Sequence, residues 1–141
     1  METSCVDKRN LYARNCPCRD VLDLVAGKWS ALIIGALEES PLRFGRLRKG
    51  IEGITQKMLT QTLRDLERDG LVSRTVYATT PPQVEYALTQ LGRSVADPLR
   101  RIREWSVDHM EEIEGARGAY DQRRLSLVVV ETHPAAAPSP Q

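Results

Sequence analysis

The chain has 141 residues, 41% hydrophobic and 28% charged, with a net charge of +1. That length favours one domain with a modest core, and that balance excludes a fibre or a chain disordered throughout. No run reaches the roughly 18 apolar residues of a membrane helix, because Asp23 and Lys28 interrupt the best candidate, residues 21–37.

Residues 1–15 are polar and expected to be mobile, and the first ten lack the apolar stretch of a secretory signal. Cys5, Cys16 and Cys18 are an odd number of thiols near the N-terminus, so a reducing cytoplasm is the expected setting rather than a disulfide scaffold. Pro17 suits the first position of a short helix, which carries Val21, Leu22, Leu24 and Val25 and is broken by Gly27. A second helix is predicted from about Lys28 to Glu38, with Trp29, Leu32, Ile33, Ala36 and Leu37 at helical spacing. Ser40-Pro41 ends it. A third, short helix covers about Arg43 to Lys49 and buries Phe44 and Leu47.

The clearest helix signal follows the turn at Gly50 and Gly53. Thr55 is a good N-cap, Ile54 and Leu59 occupy the two positions of a hydrophobic staple, and Gly70 suits the position just past the C-cap. Leu59, Leu63 and Leu66 form the apolar stripe. Alternating residues predict strands at 71–77 and 84–88, a hairpin joined by the stiff loop Ala78-Thr79-Thr80-Pro81-Pro82. Thr89 caps a further helix, which Pro98 is expected to break or kink. A longer helix is then predicted to about Glu114, closed by Gly115 and Gly118. The predicted domain is 16–114, and 115–141 is a C-terminal tail, largely disordered from about residue 131. The apolar run 125–130 could dock on the domain or on a partner.

This order is that of a winged helix-turn-helix, mainly α with a small β-hairpin wing and flanking dimerisation helices. Charge supports the assignment: residues 1–42 carry −1, 43–77 carry +4 and 78–141 carry −2. A basic centre lies between acidic flanks, as an anionic partner requires. On the capped helix, Thr55, Gln56, Lys57, Thr60, Gln61 and Arg64 surround the leucine anchor. Lys and Arg neutralise phosphates or read guanine, whereas Gln and Thr hydrogen-bond base edges. Because recognition helices contact bases mainly with their N-terminal half, Gln56, Lys57, Thr60 and Gln61 are better base-reading candidates than Arg68. Arg43, Arg46, Arg48 and Lys49 suit phosphates, and Arg74, Thr79 and Thr80 could reach an adjacent groove. The competing reading is a plain solvated helix with a leucine stripe.

Several motifs then occur in a specific order. They are Cys16-Pro17, Leu24-Val25-Ala26-Gly27-Lys28-Trp29, Leu42-Arg43-Phe44-Gly45-Arg46-Leu47-Arg48 and the run from Gly53 to Arg64. Asp69-Gly70-Leu71-Val72, Pro81-Pro82-Gln83-Val84-Glu85-Tyr86 and Leu88-Thr89-Gln90-Leu91-Gly92 complete them. Over about residues 16–106 the sequence resembles the HxlR-type family of bacterial winged-helix regulators. The resemblance implies a MarR-like homodimer with paired terminal helices, control of transcription, often of a neighbouring gene, and no catalysis. The seam expected to face a second copy comprises Leu99, Ile102, Trp105, Ser106, His109, Met110 and Ile113. Two-fold symmetry then implies a pseudo-palindromic operator in double-stranded DNA.

Cys16 before Pro17 would place a sulfur at the positive end of a helix, near Arg14 and Arg19, which favours a reactive thiolate. The resemblance implies a sensor of oxidants, quinones or aldehydes there; the competing reading is a small apolar packing residue. A Cys16–Cys18 bond would close a small ring, so Cys5 or an inter-subunit partner is the preferred expectation, with Cys5 and Cys18 as candidate resolving thiols. Metal binding by the three thiols is disfavoured because no paired Cys-x-x-Cys units are present and the histidines lie far along the chain. No cofactor is expected, and no catalytic constellation is present. Two alternatives stay open: the same fold answering a small ligand near Trp29, Trp105 or Tyr12, and an interaction module that has lost DNA binding.

Overall fold

The computed structural model describes residues 10–132, with side chains to residue 128. Cys5 and the tail from His133 lie outside the described residues. The elements are α1 (Pro17–Val25), α2 (Lys28–Leu37), β1 (Leu42–Arg43), α3 (Phe44–Gly50), α4 (Gln56–Arg68), β2 (Val72–Tyr77), β3 (Gln83–Leu88), α5 (Gln90–Asp108) and α6 (Met110–Thr132). Two compact units divide between Arg101 and Ile102. The first carries the core and all three strands. The winged helix-turn-helix architecture is therefore the observed one.

The core of the first unit gathers Ile33, Ile34 and Leu37 of α2, Leu47 of α3, Leu59, Leu63 and Leu66 of α4, and Val72 and Leu88 of the sheet. Leu32, expected inside, is exposed, and Ile34 is buried in its place. The difference is a roll of α2 by one position, which the nearly uniform apolar run 31–34 does not specify.

The sheet has three strands in the order β1-β3-β2, all antiparallel. Its third strand is a correction to the expected two-stranded hairpin. Arg43, assigned above to the start of a helix, lies in β1 opposite Glu85 and also caps α3 in an extended conformation. A two-residue strand has no alternation to betray it. Its place is set by pairing with β3.

Both ends of α4 are fastened as the sequence predicts. The Thr55 side chain accepts from the Met58 N–H at 3.1 Å. Ile54 and Leu59 are both buried, as a staple requires. At the other end Gly70, at φ +77°, donates to Glu67 O, and Leu71 donates to Leu66 O. This pair of bonds is the Schellman closure, and it needs the left-handed conformation that glycine adopts without cost. Thr89 caps α5 by accepting from Gly92 N, and its hydroxyl donates to Gly70 O, tying the start of α5 to the end of α4.

The later helices differ from expectation twice. Pro98 lies inside α5 and does not end it. The interruption falls instead at His109, yet its N–H still donates to Trp105 O and its own carbonyl accepts from Ile113 N, so helical bonding continues across it. Gly115 and Gly118 do not close a helix near Glu114 either, because α6 runs on to Thr132. Glycine interrupts a helix by about 1 kcal/mol relative to alanine, which the surrounding Glu, Ala, Arg and Gln offset. Leu99, counted above in the dimer seam, is 5% exposed and belongs to the core of the first unit.

Gly92 has a strict packing role. A β-carbon there would lie 2.0 Å from the Leu71 carbonyl oxygen, which is backbone and cannot yield. Gly92→Ala is expected to destabilise the protein by about 3 kcal/mol, read as a lowered midpoint in urea unfolding. Thr55→Ala is expected to cost about 1 kcal/mol in the same assay.

Candidate nucleic-acid interface

Residues advance roughly 100° around a helix axis at each step. With Leu59, Leu63 and Leu66 buried, the side of α4 opposite them is therefore occupied by Lys57, Gln61, Arg64 and Arg68. All four are exposed. Gln56 is exposed at the N-terminal end, and Thr60 is half-buried on the flank. Gln61 donates through Nε2 to Asp65 Oδ1 at 3.1 Å, so its amide is held along the helix rather than swinging freely. Thr55, counted among the DNA-contacting residues, spends one of its two lone pairs on the cap, and its O–H can still donate outward. Arg68, set aside in favour of the N-terminal half, shares the outward stripe. Its spacing from Lys57 and Arg64 was the signal that could have found it.

The basic residues before α4 divide into two groups. Arg43, Arg46 and Lys49 recur at every third position and line one groove with Phe44, Gly45, Gln83 and Val84. The groove thus joins α3 to the loop end of the hairpin, where Gln83 opens β3, and three cations border it. Arg48 is exposed but does not line it.

In the wing, Arg74 stands opposite Tyr86, and alternation puts it on the face of Val72 and Leu88. It is exposed beyond their buried end. The opposite face carries Thr75 and Tyr77 of β2 with Glu85 of β3. Tyr77 donates through its hydroxyl to Glu85 Oε1 at 3.1 Å. That bond and the carboxylate charge beside it raise the phenol pKa above its usual value, with nearby Arg43 opposing. At the tip, Thr79 Oγ1 donates to Pro81 O at 2.8 Å and Thr80 is exposed.

The N-terminal thiols are arranged otherwise than expected. Cys16 caps α1 and is bonded to Cys18, with their α-carbons 5.4 Å apart. This corrects the preference for Cys5 or an inter-subunit partner. The turn of chain at a helix start already brings residues i and i+2 within the span that a disulfide bridges, so the small ring needs no displacement of the backbone. Cys16 is 2% exposed, and Cys18 is half-buried. Among the described residues no cluster of three metal-ligating side chains is present, and no helix is long and apolar enough to cross a membrane.

Trp29 is half-buried against the core with Lys28 Nζ 4.3 Å from its ring centre, and Tyr12 is exposed. In the second unit, Ile102 and Trp105 are exposed, Trp105 stacks on His109 at 4.9 Å, and Ser106 donates to Ile102 O. His109, Met110 and Ile113 are half-buried.

Residues 24–114 match the HxlR-like helix-turn-helix family. The chain belongs to this family of transcriptional regulators. It is 42% identical over 108 residues to the uncharacterised HTH-type transcriptional regulator YtfH of Escherichia coli, covering 77% of this chain and 86% of that one. The solved structure named ytfH from Salmonella typhimurium superposes with a TM-score of 0.74 at 39% identity, covering 77% of this chain and 97% of that one. A structure of the redox regulator HypR in its oxidised form gives 0.61 at 40% identity, covering 66% of this chain and 96% of that one. The HxlR-type resemblance seen in the motifs is thus the family found.

Lys57→Ala is expected to weaken binding to every DNA sequence and to make log K less steep in log salt by about one unit. Gln61→Ala is expected to change sequence preference by about 1–3 kcal/mol at one base pair, with the salt slope intact. Fluorescence anisotropy over a salt series separates the two.

Proposed function

We propose that this member of the family is a homodimeric regulator that reads a pseudo-palindromic operator with the outward stripe of α4 and answers a thiol-directed signal. One observation carries the reading. Lys57, Gln61, Arg64 and Arg68 are exposed together because Leu59, Leu63 and Leu66 are buried together. Gln56, Thr60 and Gln61 are the base readers in this proposal, and Lys57 holds the backbone beside them. Arg43, Arg46, Arg48, Lys49 and Thr55 hold phosphates, and Arg74, Thr79 and Thr80 reach the flanking groove. Position in the chain favours the assignment, since the three cations of the α3–β3 groove lie on β1 and α3, the elements that immediately precede α4. No catalytic role is assigned.

Pairing of two chains is proposed through Ile102, Trp105, Ser106, His109, Met110 and Ile113, of which Ile102 and Trp105 are the large exposed apolar residues. Exposed apolar surface of this kind favours association. The thiol response is supported by the Cys16–Cys18 pair and by the likeness to the redox regulator HypR. The setting is a cytoplasmic one, with the protein on the nucleoid when DNA-bound.

Selection from a random-sequence DNA pool tests the reading. Enrichment of an inverted repeat, with half-sites about one helical turn apart, is expected. Enrichment of a single half-site would remove the dimer from the account, and failure to enrich any DNA would favour an interaction module. Ile102→Asp is expected to shift the protein towards monomer in sedimentation equilibrium while leaving far-ultraviolet circular dichroism unchanged.

A further inference from the structure

We propose that Cys16 and Cys18 form an intrachain dithiol–disulfide switch that acts on the recognition helix of the same subunit. The proposal rests on the reading that α4 binds DNA. Its starting point is the bond itself, which joins the N-cap of α1 to the second residue of that helix and encloses Pro17.

The two sulfurs are unequal. Cys16 is 2% exposed, whereas Cys18 is half-buried, so a reagent from solution meets Cys18 first. Cys16 sits at the N-terminal end of a nine-residue helix, whose dipole stabilises the negative charge that develops on a departing sulfur. Thiol–disulfide exchange is fastest when the accessible sulfur is attacked and the better-stabilised thiolate leaves. In reduction, an incoming thiolate therefore attacks Cys18, the Sγ–Sγ bond breaks, and Cys16 departs as the thiolate. A second reductant thiolate then takes the first off Cys18.

In oxidation, the reagent is a hydroperoxide. The Cys18 thiolate attacks its terminal oxygen, the O–O bond breaks, and an alkoxide leaves with the electron pair, giving a sulfenic acid. The Cys16 thiolate attacks that sulfur, the S–O bond breaks and hydroxide leaves, and the disulfide closes. One dithiol loses two electrons, and the peroxide becomes an alcohol and water once both oxyanions are protonated.

The route to DNA is short. Pro17, Asp20 and Leu24 of α1 line one cleft of about 490 Å³ together with Asp65, Arg68 and Asp69 at the C-terminal end of α4. Pro17 is the residue the ring encloses, and Arg68 belongs to the outward stripe. Opening or closing the ring changes the start of α1 where it borders α4, within one chain and without a partner thiol.

The test uses the full chain, treated with tert-butyl hydroperoxide or with a dithiol reductant. After oxidation, wild type and Cys5→Ser are expected to run as monomers on a non-reducing gel. Peptide mapping is expected to find residue 16 linked to residue 18. A disulfide-linked dimer, a bond to Cys5 or no bond would overturn the pairing. Operator affinity is expected to differ by about fivefold or more between the two redox forms, in wild type and Cys5→Ser alike. Cys18→Ser and Cys18→Ala are expected to lose that difference. Equal affinity of the two wild-type forms, or a difference that survives in both Cys18 variants, would overturn the switch. If reduced and oxidised protein alike bind no DNA, the regulator reading falls and the switch on α4 falls with it. The peptide map then still decides whether this pair is redox-active.

Discussion

With Leu59, Leu63 and Leu66 buried on one side, α4 cannot roll about its axis without exposing apolar surface worth roughly 2 kcal/mol for each leucine. Thr55 and the Gly70 closure fix where the helix begins and ends, so it cannot slide along that axis either. Everything offered outward depends on this constraint. Lys57, Gln61, Arg64 and Arg68 present a stripe to solvent because the leucines leave them nowhere else to go. Gly92 serves the same end from a distance. It lets α5 approach the Leu71 carbonyl, and the Thr89 hydroxyl holds Gly70 in place. The surface ion pairs of Arg100 with Glu38 and Asp97 are peripheral by comparison, since exposed pairs contribute about 1 kcal/mol or less.

The overall charge of +1 conceals this arrangement. The stretch 43–77 carries +4 although Asp65 and Glu67 lie on α4 itself, and the flanking segments largely balance it. A regulator built in this way can keep a nearly neutral chain and still offer DNA a basic surface. The groove bordered by Arg43, Arg46 and Lys49 shows how local spacing organises such a surface, because the N-cap of a short helix and the third and sixth residues after it border the same side.

Local signals carried much of the fold. A cap, a staple and a closing glycine made α4 legible to within a residue, and alternation marked β2 and β3. Features set by tertiary context were not legible. The strand β1 exists only because β3 is beside it, and Leu32 exchanges with Ile34 because an unbroken apolar run leaves the roll of α2 open. Gly115 and Gly118 looked like terminators, yet good helix formers on both sides carry α6 through them. The same holds for the site. Thirteen residues expected at DNA are all in the first unit, and Thr60 alone among them is half-buried. Arg68 needed the helix geometry rather than a rule about N-terminal halves. The Cys16–Cys18 bond was passed over on ring size, when the spacing of α-carbons at a helix start already suits it.

The most direct test of the central claim is a hydroxyl-radical footprint of the purified protein on the DNA upstream of its own gene. Wild type is predicted to protect two symmetry-related patches about one helical turn apart, with both lost in a variant carrying Lys57→Ala and Arg64→Ala. Protection that persists unchanged in that variant would contradict the role given to α4.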